Sequence, residues 1–258
     1  MDFRKIISLV KEAGKIAKDK ELLSQVSSKT DSDFVTAVDL SISEFIKKNL
    51  AALTPDIGFM SEEEECEIQP VRWILDPIDG TTNLLYGYNM SSVSLGLCDH
   101  NVIKFGVVYN PFTKELFTAV RGKGAYYNGK RMEKIADRDL KACIVEFGAG
   151  VSRKNNTDMN FDIAKEVFTE CLDLRRVCSS ALTLCYIAAG KLNGYFEKSL
   201  KPWDCAAGSL ILEECGGVNM TWEGAPIDFS RPGSYIAGSP KAAGFLLKTV
   251  QKHLNADK

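Results

Sequence analysis

The sequence predicts a mixed fold, an α+β half followed by an α/β half, and three observations carry that expectation. Apolar, β-rich runs at 91–98, 102–109 and 115–120 follow one another with only turn residues between them. From about residue 142 onward, strand-like and helix-like segments alternate instead. Two amphipathic helical segments precede both regions.

Taken in order, Phe3, Ile6, Ile7, Val10, Ala13 and Ala17 recur at helical spacing and predict a helix within 2–19. Ile42, Phe45, Ile46, Leu50 and Leu53 do the same for 39–53. The polar segment Ser27–Asp33 between them reads as a loop. Short strands are expected at 57–60 and 72–76, with Pro77 and Gly80 turning the chain after the second. Asp99-His100-Asn101, Asn110-Pro111 and Asn128-Gly129 are turn signals between the β-rich runs and after them. Strands near 142–147, 174–177, 194–197 and 217–221 alternate with helices near 160–172, 179–190 and 204–215. Ser239-Pro240 opens a last helix, Ser as N-cap and Pro at the first helical position. The pattern changes near residue 140, dividing the chain into an α+β lobe (1–140) and an α/β lobe (141–258). No Gly-, Ser- or Pro-rich linker separates them, so the lobes are expected to pack as one unit.

Composition excludes several function classes. The formal net charge is -2 and no basic block stands out, which argues against a nucleic-acid partner. Eight Cys form no CxxC pair and there are only two His, His100 and His253, so a zinc site is not expected. Most Cys lie in apolar stretches, and no signal peptide is evident; both point to a reducing cytosol. His100 lies in a turn and His253 in a terminal helix, neither placed for nucleophilic catalysis. No apolar run reaches membrane-spanning length.

The chemistry concentrates at Trp73–Asn83. An apolar run, Trp73-Ile74-Leu75, ends in Asp76 and Asp79, followed at once by Gly80, Thr81 and Thr82. Alone, such a segment is a turn with solvated Asp. Yet carboxylates at a strand end are also where an α/β sheet places a ligand, and they suit a hard divalent cation such as Mg²⁺. Glu62 follows another short apolar strand, although Glu62–Glu65 also reads as a solvated charge run. Asp204 opens a helix rich in small residues, Ala206-Ala207-Gly208, where it could simply cap that helix. Each reading is modest alone. Carboxylates in three separate segments, each at the boundary of an apolar element beside small residues, favour one composite site. Free amides at Gly80-Thr81-Thr82 would face an anion.

Together these residues resemble the inositol monophosphatase family over nearly the whole chain. Trp73–Asn83 is similar to the family's W-x-x-D-P-[IL]-D-G-T-x-N segment, and Trp203–Gly217 to its W-D-x-A-A-G segment with a following Gly pair. Phe59-Met60-Ser61-Glu62-Glu63 is similar to its acidic motif, with Ser61 where Gly is usual. Lys29–Asp39 is similar to its K-x-D-x-V-T-x-x-D segment, Phe34 replacing the common Leu. The resemblance implies a layered α-β-α-β-α sandwich and a lithium-sensitive phosphoric monoester hydrolase, an inositol-phosphate phosphatase using two or three Mg²⁺ ions. It implies metal ligation by Glu62, Asp76, Asp79, Asp204 and the Ile78 carbonyl. Catalytic roles would fall to Glu62, Thr81, Asp39 and Lys29, with Thr81 positioning the nucleophilic water and Asp39 supporting it. Phosphate would rest on the amides of Gly80 and Thr81. Ser180, Glu197 and Asp204 would meet the rest of the substrate, Glu197 contacting a hydroxyl; a surface Glu at a strand end is the alternative for Glu197. Cys178 stands where the family usually has Gly and would reshape the pocket wall. Phe147-Gly148-Ala149-Gly150 lies roughly at a substrate-facing loop. A homodimer in the cytoplasm is implied, with a small phosphorylated polyol or sugar as partner and neither nucleic acid nor membrane. Arg175 and Arg176 keep open a fructose-1,6-bisphosphatase; other sugar and nucleotide phosphatases of the family are further alternatives. A regulatory partner of the transcription machinery on the same fold is an alternative of a different class.

Overall fold

A computed structural model describes the chain apart from residues 31–32, 65–66, 150–156 and 257–258, and apart from the side chains of 28–30, 33–35, 157 and 256. Helices α1 (Phe3–Ile16) and α2 (Lys20–Leu23) lead into strands β1 (Val26–Thr30) and β2 (Asp33–Thr36) and helix α3 (Ala37–Leu53). There follow β3 (Gly58–Ser61), β4 (Val71–Asp79), α4 (Thr81–Leu85), β5 (Ser92–Asp99), β6 (Val102–Asn110), β7 (Glu115–Val120), β8 (Gly124–Tyr127) and β9 (Lys130–Arg131). The second half runs β10 (Ile144–Phe147), α5 (Thr157–Glu170), β11 (Asp173–Arg175), α6 (Ser180–Ala188), β12 (Gly194–Leu200), α7 (Pro202–Glu214), β13 (Val218–Met220), β14 (Gly233–Gly238) and α8 (Pro240–Ala256). Strands β3 to β9 form a seven-stranded sheet in sequence order, and a five-stranded sheet has the order β11-β10-β12-β14-β13.

Strict alternation along the strands sorts apolar side chains into separate layers. In β4, Trp73 and Leu75 join α1 and α3 in one core through Ile6, Val10, Ile42 and Ile46. Ile74, between them, joins α6 and α7 on the opposite face. In β12 and β14, Tyr195, Tyr235 and Ala237 face that same middle layer. Phe196 and Ile236 face away, onto Ile163 and Val167 of α5 and Leu246 and Val250 of α8. The result is five layers, α1/α3, first sheet, α6/α7, second sheet, α5/α8: the α-β-α-β-α sandwich.

Helix α7 lies close against the first sheet because glycines leave it room. A Cβ at Gly106 would stand 2.7 Å from the Ala207 carbonyl oxygen, and one at Gly96, its cross-strand partner, 3.3 Å from the Ala206 Cβ. Gly208 does the same toward α6, where a Cβ would meet Leu184 at 2.8 Å. The small residues of α7 therefore set the depth at which Asp204 sits.

Several elements differ from expectation. Where described, the segment expected as a loop at 27–33 pairs as an antiparallel hairpin, Ser27 with Val35 and Ser28 with Phe34, so backbone pairing overrides its polarity. Strand β4 runs past Pro77 to Asp79, with an irregularity between Asp76 and Asp79. Helix α7 begins at Pro202, two residues before Asp204. Strand β14, whose core is Tyr235-Ile236-Ala237, is legible in sequence only as a short apolar run. The turns at His100-Asn101 and Asn128-Gly129 are tight two-residue hairpins with positive φ at both residues (49° and 63°, 48° and 78°), matching strand twist.

A buried polar clasp ties α6 to the first sheet. Glu115 accepts from the Lys191 ammonium (2.6 Å), the Tyr127 and Tyr186 hydroxyls (2.8 Å each) and the Thr113 hydroxyl (2.9 Å). Burial pushes its carboxyl up, but Lys191 and the three hydroxyls outweigh it and bring the group down to about 2. A depressed carboxylate adds stability that is fully present above its unfolded value of roughly 4.3 and lost as pH falls toward 2. Its loss on acidification is expected to amount to on the order of 3 kcal/mol, and denaturant titrations of Glu115→Gln should lack that acid-side decline. Gly106→Ala is expected to destabilise by about 1–3 kcal/mol in the same assay, because the Ala207 backbone cannot retreat.

Candidate functional site

The centre of the site is made by one extra residue in β4. Asp76 pairs with Ser94 and Asp79 with Ser92, so three steps on β4 match two on β5. Carboxylates three apart would face opposite sides of a regular strand. The bulge at Pro77-Ile78 restores the parity and puts both on the face toward α6 and α7. Pro77 has no N–H to donate, which suits it to the irregular position. Glu62 reaches the same face by ordinary alternation. Ser61 pairs with Leu75 and its hydroxyl meets that of Ser43 on α3 (3.1 Å), so the next residue turns inward beside Asp76. The Glu62 amide donates to the Leu75 carbonyl (3.3 Å), extending the register.

The middle helices close on this edge with their N-terminal turns. Asp79 accepts from the Ser179 hydroxyl (2.5 Å), the Ala181 amide (2.9 Å) and the Ser180 amide (3.2 Å) at the start of α6. Asp204 lies in the first turn of α7 and accepts from the Lys201 amide (2.7 Å) just before the helix. The structural and functional readings of Asp204 are thus compatible: one carboxylate oxygen caps the helix while the residue faces its fellow acids. Gly80 takes a left-handed φ of 91°, and a Cβ there would crowd the Met90 and Cys178 carbonyls. Helix α4 is a single turn capped by Gly80, so Thr81 and Thr82 are not its caps. The Thr81 hydroxyl lies within hydrogen-bond reach of the Ile78 carbonyl (3.1 Å) and of Asp39 (3.3 Å). The other Asp39 oxygen accepts from the Thr36 hydroxyl (2.6 Å) and amide (2.8 Å) in the capping box of α3.

Crowding of like charge shapes the electrostatics. Burial, then Glu62, Asp79 and Asp204, push the Asp76 carboxyl well above its ordinary range. Burial and Asp79 do the same to Asp204. Asp79 is pushed up by burial to about 6, held there by the opposing pull of Ser179 and the α6 amides. Asp39 is also raised, chiefly by burial. The Asp76 Oδ1 is buried with no hydrogen-bond partner among the described residues. Among those residues no three His, Cys, Asp or Glu side chains form a ready ligand shell as they stand. The donor set nonetheless suits a hard cation: oxygen only, several negative charges, and one buried oxygen left unpaired.

Other predicted residues fall around this edge. Glu197 is 5% exposed on the inner face of the second sheet, so the alternative of a surface residue does not hold. Its carboxylate occupies the space a Cβ on Gly148 would take, so Gly148 is glycine for a packing reason. The Ser180 hydroxyl meets that of Tyr195 (3.0 Å). Cys178 is exposed and holds a left-handed φ of 60°, a conformation that favours Gly and disfavours a β-carbon. Arg175 is exposed and ion-paired with Asp173. His100 and His253 pair with Asp99 and Glu166, away from the acids. Lys29 lies in β1, and its side chain, like that of Phe34 and all of Gly150, is outside the described residues. Sequence reasoning gave no role to Ser179 or Asn83. Asn83 donates to the Met90 and Val177 carbonyls (2.8 Å each), stitching the β4–α4 turn to the segment before α6. Only its presence in the Trp73–Asn83 segment pointed to it.

This fold and this arrangement of acids define a class. The profile of the inositol monophosphatase family matches residues 3–255, and the chain belongs to that family. A Vibrio cholerae protein named Nus factor SuhB is 35% identical over 235 residues, spanning 90% of this chain and 88% of its own. The crystal structure of extragenic suppressor protein suhB from Bartonella henselae superposes with a TM-score of 0.90 at 34% identity, covering 97% of this chain and 98% of that one. An IMPase/NADP phosphatase crystallised with Mg²⁺ and phosphate superposes with a TM-score of 0.85 at 26% identity, covering 95% and 93%.

The raised carboxyls set a pH dependence opposite in sign to that of Glu115. A carboxyl raised in the folded state contributes stability below its unfolded value, and that contribution is lost as pH rises through the folded value. With divalent cations chelated, the protein should therefore lose stability between roughly pH 4 and pH 6 as the Asp79 carboxyl ionises beside its acidic neighbours. Denaturant titrations in EDTA should show a shallower decline in Asp79→Asn; an identical slope would count against the assignment.

Proposed function

We propose that the chain is a Mg²⁺-dependent phosphomonoesterase acting on a small polyol or sugar phosphate, inositol 1-phosphate foremost. The observation that carries this reading is the convergence of Glu62, Asp76, Asp79 and Asp204 on one edge, with the Asp76 Oδ1 buried and unpaired. Membership of the family and the relative crystallised with Mg²⁺ and phosphate support it.

In this reading Glu62, Asp76, Asp79, Asp204 and the Ile78 carbonyl hold two or three Mg²⁺ ions. Bound there, magnesium supplies the charge that acidifies a water and neutralises the leaving oxygen. The chain does the rest by positioning. Thr81 orients the attacking water through its hydroxyl, and Asp39, 3.3 Å away, takes the proton that Thr81 relays. The Thr36 contacts hold Asp39 in place and leave its second oxygen turned to Thr81. The amides of Gly80 and Thr81 receive the phosphate, with Lys29 nearby. Ser180, Glu197 and Asp204 meet the leaving alcohol. Residues 1–140 supply most of the acids and 141–258 supply Asp204 and the alcohol pocket, the two lobes working as one catalytic unit. A cytoplasmic homodimer inhibited by lithium completes the proposal. No helix among the described residues is long and apolar enough to cross a membrane.

Substrate choice leaves a narrower question. Arg176, exposed two residues before Cys178, would suit a second phosphate, as in a fructose 1,6-bisphosphatase, and a nucleotide phosphatase is a further possibility within the family. The relatives named Nus factor favour a second reading, a partner of the transcription machinery, which would revise the expectation that nucleic acid plays no part. The two readings separate cleanly. Phosphate release should require Mg²⁺ and be greatest with inositol 1-phosphate in a screen that includes sugar and nucleotide phosphates. Asp79→Asn should reduce it at least about 1,000-fold with the circular dichroism spectrum intact. Turnover that survives this substitution refutes the site, and co-purification with RNA polymerase that ignores it would favour the second reading.

A further inference from the structure

Glu146 has no place in the chemistry above, yet it is almost fully buried. It lies on β10, an inner strand between β11 and β12, paired in register with Arg175 and Tyr195. It is 2% exposed and, like Tyr195 beside it, faces the α6/α7 layer. One carboxylate oxygen accepts from the Val177 amide at 2.8 Å. The other is buried with no hydrogen-bond partner among the described residues. Burial pushes the carboxyl up to about 7, against the pull of the Val177 amide. A buried acid of this kind is costly unless it holds something in place.

What it holds is the turn that leads into α6. Val177 is fixed from one side by Glu146 and from the other by Asn83, whose amide donates to the Val177 carbonyl. The next residue, Cys178, sits at a φ of 60°, a conformation that costs about 1–2 kcal/mol for a residue with a β-carbon and persists only when its neighbours fix it. The residue after that, Ser179, donates to Asp79, as do the amides of Ser180 and Ala181. Thr183, one turn into α6, donates to the Ser179 carbonyl at 2.8 Å and rigidifies the same corner. The chain of contacts runs from Glu146 to Val177, through the strained Cys178, to the three donors on Asp79.

We propose that Glu146 is a positioning residue for Asp79: from the second sheet it fixes the Val177–Ser179 turn, and that turn aims the donors that set the Asp79 carboxylate. The inference rests on the reading of Asp79 as a cation ligand. Glu146 touches neither substrate nor cation in it; its effect reaches the first sheet only through the turn.

The test compares Glu146→Leu and Glu146→Gln with the unmodified chain, using Mg²⁺ alone as the probe. Calorimetric titration of Glu146→Leu, which removes the acceptor, should show Mg²⁺ bound about tenfold more weakly, which is about 1.4 kcal/mol. Hydrogen exchange should quicken at the amides of Val177–Leu182 and stay unchanged in the other strands of the second sheet. Glu146→Gln keeps an acceptor oxygen for Val177 and should bind Mg²⁺ within about threefold of the unmodified chain. If the Leu variant does not fold, Glu146→Asp, one methylene short of the Val177 amide, takes its place with the same expectation. Unchanged exchange at Val177–Leu182, or unchanged Mg²⁺ affinity when Asp79→Asn is itself impaired, overturns the role of Glu146. If Asp79→Asn binds Mg²⁺ like the unmodified chain, the proposed function fails instead, and the exchange measurement still decides whether Glu146 holds the turn.

Discussion

Like-charge crowding at the edge of β4 is the constraint on which the rest of this structure depends. Carboxylates within a few ångströms of one another in a buried setting repel and shed their charge unless something opposes them. Here the opposition comes from backbone. Asp79 is met by the first amides of α6, Asp204 by the Lys201 amide, and Asp39 by Thr36. Asp76, at the centre, is met by no hydrogen-bond donor at its Oδ1 among the described residues and is lifted well above its ordinary range by burial and by its acidic neighbours. Such an arrangement is unfavourable for folding alone. It becomes intelligible if a cation is part of the folded protein's economy of charge.

The architecture follows from that demand. Two helix N-terminal turns must reach the same strand edge, so α6 and α7 lie side by side in one layer between the two sheets. They can approach closely only where the strands and helices carry glycine, at Gly96, Gly106 and Gly208. The Glu115 clasp then ties the far end of α6 to β7 and β8, so that the helix cannot slide away from Asp79. Packing, in this account, is set by the position of four carboxylates as much as by the cores that surround them.

Much of this was legible in sequence, and the exceptions have physical reasons. Alternation and turn residues located β3, β5, β6 and β7 to within a residue or two, because tight hairpins fix register locally; β4 runs on from its expected end at Asp76 to Asp79, and β8 and β9 were signalled only by their Asn128-Gly129 turn. The carboxylates at Glu62, Asp76, Asp79 and Asp204 were readable because apolar runs end at each. The β1–β2 hairpin was not, since its residues are polar and its pairing rests on backbone. The bulge at Pro77-Ile78 was hidden as well. Sequence shows two Asp three apart, and only the register against Ser92 and Ser94 shows that they share a face. The surface alternative for Glu197 stood in sequence because a Glu at a strand end carries no local sign of burial, which comes from the facing layer. Glu146 offered no signal at all: a Glu inside a short apolar strand has no local pattern to mark it.

The central claim is that these acids are arranged to share divalent cations. Anomalous diffraction from a crystal soaked in Mn²⁺, a readily located substitute for Mg²⁺, tests it most directly. The account predicts peaks about 2.1 Å from carboxylate oxygens of Asp76 and Asp79, with Glu62 and Asp204 turned inward to complete the shell. A crystal without a peak at this edge, or with Mn²⁺ bound only elsewhere, would contradict it.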